Sequence, residues 1–139
     1  IAFHFDPLVD YPGWEDGYHA LVQALFEKVS PERVSWISLG ALRMTPELHE
    51  NMRKRFPLSR LPYGELLPSS DGKLRYFKTI RLTMYRKMIK WIEAYGGDVP
   101  VYLCMERPDL WRRVFHREPP EWRVINQHLV RRMLAMKTC

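Results

Sequence analysis

Residues 1–60 alternate between extended and helical patterning, and that alternation constrains the fold more than any other feature of the chain. Ile1 to Asp6 (IAFHFD) is aromatic-rich and alternating and stops at Pro7, which predicts a strand. From Trp14 to Val29 the apolar residues Tyr18, Leu21, Val22, Leu25, Phe26 and Val29 recur at three- and four-residue steps. They predict an amphipathic helix that ends at Ser30 and Pro31. Val34 to Leu39 (VSWISL) reads as a second strand, closed by Gly40. Thr45 then offers an N-cap and Pro46 a first helical residue, and Leu48, Met52 and Phe56 mark a stripe that Pro57 terminates. Neighbouring parallel strands need a long crossover, usually a helix, so this order predicts two β/α units of a parallel sheet.

Beyond Pro57 the pattern changes. Leu61 to Leu67 is short and extended, Ser69 to Gly72 is a turn, and Leu74 to Lys78 alternates again, which together predict a two-stranded hairpin. Thr79 to Tyr95 carries Ile80, Met84, Met88, Ile89 and Ile92 on one helical face and stops at Gly96 and Gly97. Val99 to Met105 predicts a strand, Pro108 to Phe115 a short helix, and Glu121 to Met136 a last, basic helix. Residues 1–60 therefore form one part and residues 61–139 an extension of hairpin, helix, strand and basic helix.

With 139 residues, 46% of them apolar, the chain is long enough to bury a core. No apolar run approaches the ~20 residues of a membrane span and no basic leader opens the sequence, so no membrane partner and a cytoplasmic location are expected. Ile1 starts a strand without a turn or cap before it, which leads us to expect an upstream portion. The 22 basic and 16 acidic residues leave a net charge of +6, which favours phosphate-bearing partners. Two cysteines, Cys104 in an apolar run and Cys139, are too few for a disulfide scaffold or a metal cluster.

Four segments, in order, carry a resemblance: FHFDPLVDYPGWEDGY, WISLGALRMTPEL, GELLPSSDGKLRYFK and VPVYLCME. Over residues 1–115 the chain resembles the carboxy-terminal part of spore photoproduct lyase family proteins, which are radical S-adenosylmethionine (SAM) enzymes. The resemblance implies an α/β fold, the last units of a partial (β/α)6 barrel followed by the hairpin and helices. It implies SAM and a [4Fe-4S] cluster as cofactors of the full-length protein, and repair of a thymine dimer photoproduct in DNA through a 5′-deoxyadenosyl radical. The family's cluster sits on a loop of three closely spaced cysteines that this chain lacks, so no cofactor is expected on these residues alone, and the upstream half of the same protein is an expected partner alongside DNA. Two alternatives stay open: a family member with a substrate other than DNA, and a non-catalytic nucleic-acid-binding module.

Candidate site residues follow from both lines. His4 and Asp6 lie two apart near the end of a strand and share a face, where they either line the SAM or substrate cavity or cap the loop at Pro7. Arg75 and Tyr76 match an Arg-Tyr pair that the resemblance puts near the substrate, Arg75 binding a phosphate or base and Tyr76 along the route of hydrogen-atom transfer. A guanidinium fork suits phosphate and a phenol suits stacking or donation, yet an ordinary hairpin with a packed tyrosine has the same residues. Cys104 reads as a buried apolar residue. His19, His49 and His128 read as surface positions and His116 as a helix cap. The basic groups Arg53-Lys54-Arg55, Arg112-Arg113 and Arg131-Arg132, with Arg81, Arg86, Lys87 and Lys90, read as solvated faces unless they gather on one surface. Most of the five tryptophans read as core.

Overall fold

A computed structural model describes residues 1–135 of the chain. The expectations for Cys139 and Met136, and for the side chains of Trp122 and His128, fall outside what is described. A parallel sheet forms the centre, with β2 (Trp36–Ala41) between β1 (Ala2–Leu8) and β6 (Val101–Leu103). Phe5 lies opposite Leu39, and Leu39 opposite Leu103. The crossover from β1 to β2 is α1 (Trp14–Lys28), and α3 (Lys78–Gly96) leads into β6. Side chains of a strand alternate between faces. Phe3, Phe5, Ile37, Leu39 and Leu103 therefore meet Val22, Met84, Met88 and Ile92 of the two helices in one apolar core. The opposite face carries His4, Asp6, Ser38, Gly40 and Tyr102.

The two helices approach closely where Gly96 ends α3. A Cβ there would lie 2.4–2.9 Å from the Phe26 ring, so the glycine makes room for the aromatic side chain of α1. Helix α2 (Pro46–Arg55) starts as expected, with Thr45 Oγ1 accepting from the Leu48 amide at 3.1 Å. Helix α4 (Pro108–Phe115) ends at His116, whose left-handed backbone (φ 54°) lets its amide donate to the Arg112 carbonyl. Helix α5 spans Trp122–Ala135. Arg132 ties it to the segment that leads into β2 by donating from Nε to the Val34 carbonyl at 3.1 Å. Among the described residues no helix is long and apolar enough to cross a membrane.

Several boundaries depart from the sequence expectation, each for a physical reason. Strand β1 runs through Pro7 to Leu8 instead of stopping, because β1 is an edge strand and its register is irregular between Phe5 and Leu8, where a residue without an amide proton costs no ladder bond. Gly40 does not close β2. It lies inside the strand, and Ala41 follows it. The strand begins at Trp36 because a 3-10 turn over Pro31–Arg33 and the buried Val34 and Ser35 lead into it. The hairpin supplies two strands of a three-stranded antiparallel sheet: β5 (Leu74–Tyr76) pairs with β4 (Leu66–Pro68) on one side and with β3 (Arg43–Met44) on the other. A two-residue strand has no period to read, which is why β3 escapes a pattern analysis.

Candidate functional site

The carboxyl ends of the three parallel strands bring together residues far apart in sequence. Asp6 stands near the end of β1, Gly40 near the end of β2, and Cys104 just after β6. The Asp6 carboxylate lies directly over Gly40, where a Cβ would come within 2.6–2.7 Å of its atoms. Only a glycine admits it. From that seat Asp6 accepts two bonds from Arg43 of β3, Nη1 to Oδ1 at 3.0 Å and Nη2 to Oδ2 at 3.1 Å. Arg43 Nη2 also reaches the Cys104 sulfur at 3.9 Å. His4, two residues before Asp6 on the same face, is hydrogen-bonded through Nδ1 to Ser38 Oγ of the neighbouring strand at 2.5 Å.

The small sheet continues the site away from the strand ends. Arg75 is the direct cross-strand neighbour of Arg43. Like charges so placed repel, and each guanidinium has its own carboxylate to offset this. Arg43 has Asp6, and Arg75 donates to Asp71 of the turn, Nη1 to Oδ1 at 2.5 Å and Nη2 to Oδ2 at 2.8 Å. That fork holds the Asp71 carboxyl well below the usual carboxylate range. Arg75 is itself buried, whereas Asp71 stands largely in solvent.

Tyr76 is 3% exposed, packed in the core, with its hydroxyl oxygen accepting from the Asp10 amide at 3.1 Å. Tyr18 does the same for the Val9 amide at 3.0 Å. Two phenols thus hold the loop that leaves β1. Behind them lies a buried polar network. The Tyr85 hydroxyl accepts from the Ala41 amide and donates to Glu106 Oε1, both at 2.8 Å. Glu106 forms an ion pair with Arg81, whose Nε donates to the Tyr76 carbonyl at 3.0 Å. Burial, with the Glu106 charge beside it, pushes the Tyr85 phenol far above its ordinary range.

The structure therefore joins Asp6 to Arg75 through Arg43, a link the sequence does not reveal, and keeps His4 one step back on Ser38. Tyr76 is held against Asp10. Sequence reasoning missed Arg43, Asp71, Tyr85 and Glu106. For Glu106 a signal existed, since it stands just past the end of the predicted strand Val99 to Met105, which the structure adds to the parallel sheet, and sites of β/α folds gather at such ends. Of the histidines, His19 stacks on Trp91 at 5.2 Å and is hydrogen-bonded to Tyr95 at 3.1 Å. His49 is bonded to the Pro62 carbonyl at 2.6 Å. Trp111 is buried, and Trp14 and Trp91 pack against the core.

Iron–sulfur clusters are held by several thiolates. The chain has two cysteines, and among the described residues no group of three or more His, Cys, Asp or Glu is placed to hold a metal ion. These residues do not fit a [4Fe-4S] cluster. Cys104 is half-buried, and burial first, then the hydrogen bond and charge of Asp6, push its thiol up, while Arg43 pulls the other way. With Cys139 replaced by serine, Cys104 should alkylate severalfold more slowly near neutral pH than an unstructured cysteine. Asp6→Asn should speed the reaction and Arg43→Gln slow it further, measured by mass spectrometry of iodoacetamide adducts. Equal rates in all three proteins would show that the cluster does not control the thiol.

The fold is similar to that of spore photoproduct lyase. The structure of that enzyme complexed with dinucleoside spore photoproduct matches with a TM-score of 0.63 at 24% identity, over 74% of this chain and 33% of that one. A double mutant with bound AdoMet and dinucleoside spore photoproduct matches with a TM-score of 0.60 at 23% identity. The chain thus spans about a third of the length of the solved structures it matches. No family model matches it, and neither does any curated protein.

Proposed function

We propose that this chain is the substrate-side part of a radical SAM enzyme of the spore photoproduct lyase kind, which repairs a thymine dimer photoproduct in DNA. The observation that carries the reading is the run of polar groups from Asp6 through Arg43 to Arg75 at the carboxyl ends of a parallel sheet whose fold is similar to that lyase's. In β/α barrels the reacting groups gather at this end. Residues 1–60 then supply the last units of a partial (β/α)6 barrel, and residues 61–139 the extension that covers its mouth. The open edge of β1, beside an apolar groove lined by Phe3, Phe5, Leu21, Leu25 and Val29, supports a further β/α unit of the same protein packing there.

In this reading His4 and Asp6 line the wall of the cavity where SAM and the lesion meet, and Arg75 binds a phosphate of the substrate. SAM and a cluster held by residues outside this chain supply the radical chemistry when bound. The work of this chain is positioning. A phosphate suits the fork that Asp71 fills, so substrate binding exchanges one oxyanion for another, and the exposed Asp71 is free to swing aside. Tyr76 accepts from Asp10 and keeps its own proton, because burial raises its phenol further above neutrality. A neutral phenol is what hydrogen-atom donation requires.

Fluorescence anisotropy with the chain and two oligonucleotides, identical except for one photoproduct, tests the proposal. The lesion should bind more tightly. Arg75→Gln should remove that preference and lower the salt slope by about one, and Asp71→Asn should increase it by freeing the fork. Equal affinity for the two oligonucleotides, unchanged by Arg75→Gln, would leave a nucleic-acid-binding module without lesion recognition.

A further inference from the structure

The segment from the last turn of α2 to the start of β4 carries exposed basic and aromatic side chains that the site above does not use, with Arg53, Lys54 and Tyr63 lining one shallow hollow beside Glu50. Arg53, Lys54 and Arg55 end the helix, Phe56 and Leu58 follow, and Arg60 and Tyr63 complete the segment. Both of its ends are anchored. Met52 and Leu61 pack against the core, Pro62 is buried, and the His49 bond to the Pro62 carbonyl straps the returning chain to α2. Between the anchors the backbone turns, with the Ser59 amide donating to the Phe56 carbonyl at 3.0 Å. Leu58 stands at the apex, 97% exposed, with Phe56 at 54% and Tyr63 at 55%. The guanidinium of Arg53 lies 5.3 Å from the Tyr63 ring centre and that of Arg55 5.7 Å from the Phe56 ring.

Charge distinguishes this surface from the site. Arg43, Arg75 and Arg81 are each committed to a carboxylate. Lys54 pairs with Glu50, but among the described residues Arg53, Arg55 and Arg60 have no acidic group within ion-pair distance. Unpaired guanidinium groups interleaved with exposed rings and an apolar tip suit a polyanion with flat bases. Guanidinium groups take phosphates, rings stack on bases whose pairing is broken, and an apolar wedge enters a disturbed base step. The surface adjoins the site through Gly64, whose Cβ position lies 3.2 Å from the Tyr76 ring.

We propose that residues 53–63 form a second DNA contact, in which Arg53, Arg55 and Arg60 grip the backbone beside the lesion and Leu58 and Phe56 press into the unstacked step. This rests on the DNA reading above and adds to it a clamp separate from Arg75. A lesion distorts its duplex, so a wedge next to the site would favour the damaged step before any chemistry.

Anisotropy with the whole chain tests it, using a fluorescein-labelled duplex with two central unpaired thymines and its fully paired counterpart. The triple variant Arg53→Gln, Arg55→Gln, Arg60→Gln should bind both duplexes at least about tenfold more weakly near 0.1 M salt, with a salt slope smaller by about 2–3. Leu58→Ala should weaken only the unpaired duplex, by about fivefold, which corresponds to one lost apolar contact. Its side chain is almost wholly in solvent, so the fold is unaffected, as circular dichroism would verify. If the chain binds DNA in an Arg75-dependent way and neither variant changes that, the clamp is wrong and the proposed function stands. If it binds neither duplex, both fail. If it binds phosphatidylserine vesicles through Leu58 and no DNA, the surface is a membrane contact and the proposal is overturned.

Discussion

Glu106→Ala is expected to cost about 3–5 kcal/mol of folding stability, since removing one member of a buried ion pair leaves the other charge uncompensated. The Glu106 side chain is 5% exposed and serves two partners, Arg81 and the hydroxyl of the wholly buried Tyr85. Its loss would strand a guanidinium and a phenol proton inside the protein. Urea unfolding followed by circular dichroism should show the loss as a lower midpoint with an unchanged slope, and heating should show a midpoint about 10–20 °C lower. Glu106→Gln keeps an acceptor for Tyr85 and should lose less. Arg81→Met combined with Glu106→Leu removes both charges at once and should recover at least half of the deficit. A double variant as unstable as Glu106→Ala would mean that packing at this position, not charge, sets the cost.

The second large effect is expected at Tyr76, where ring and hydroxyl have separable roles. Tyr76→Ala empties a core position between β4, the Gly64 backbone and the loop after β1, and should cost about 3–5 kcal/mol. Tyr76→Phe keeps the ring and removes one hydrogen bond, to the Asp10 amide, for about 1 kcal/mol. Denaturant melts of the two variants measure the split. If the proposed function is right, the phenylalanine variant of the complete enzyme binds damaged DNA almost as well as the parent and forms product more slowly. Unchanged product formation in that variant would make Tyr76 a packing residue alone.

How much of this was legible in the sequence depends on the range of the interaction. The helices were for the most part, because their apolar steps are local: Tyr18, Val22, Leu25 and Phe26 of α1 and the stripe from Ile80 to Ile92 face the core, whereas Leu21, Leu48 and Phe56 of the expected stripes stand exposed. Strand ends were less so. Gly40 looked like a stop because glycine often is one, but a strand tolerates it where a neighbour's side chain needs the space, and only the structure reveals that Asp6 needs it. Of the candidate residues, His4 and Asp6 were singled out by type and position and Arg75 and Tyr76 through the resemblance, whereas Arg43 was not, because its place comes from being paired across strands with Arg75 and from one sheet to the other with Asp6. No spacing in the sequence encodes either contact.

The order of the parallel sheet bears on how the chain is made. Its middle strand, β2, pairs on one side with β1, which precedes it, and on the other with β6, which follows after two helices and the whole small sheet. As the ribosome delivers the polypeptide, the first pairing can form early while the second edge of β2 waits, its amides and carbonyls without partners, until Val101–Leu103 has emerged. Closing so long a loop is slow, and an unfilled edge invites foreign strands. The salt link from Arg81 of α3 goes to Glu106, three residues beyond the end of β6. The second pairing of β2 and the ion pair of Glu106 therefore depend on the same short segment, residues 101–106.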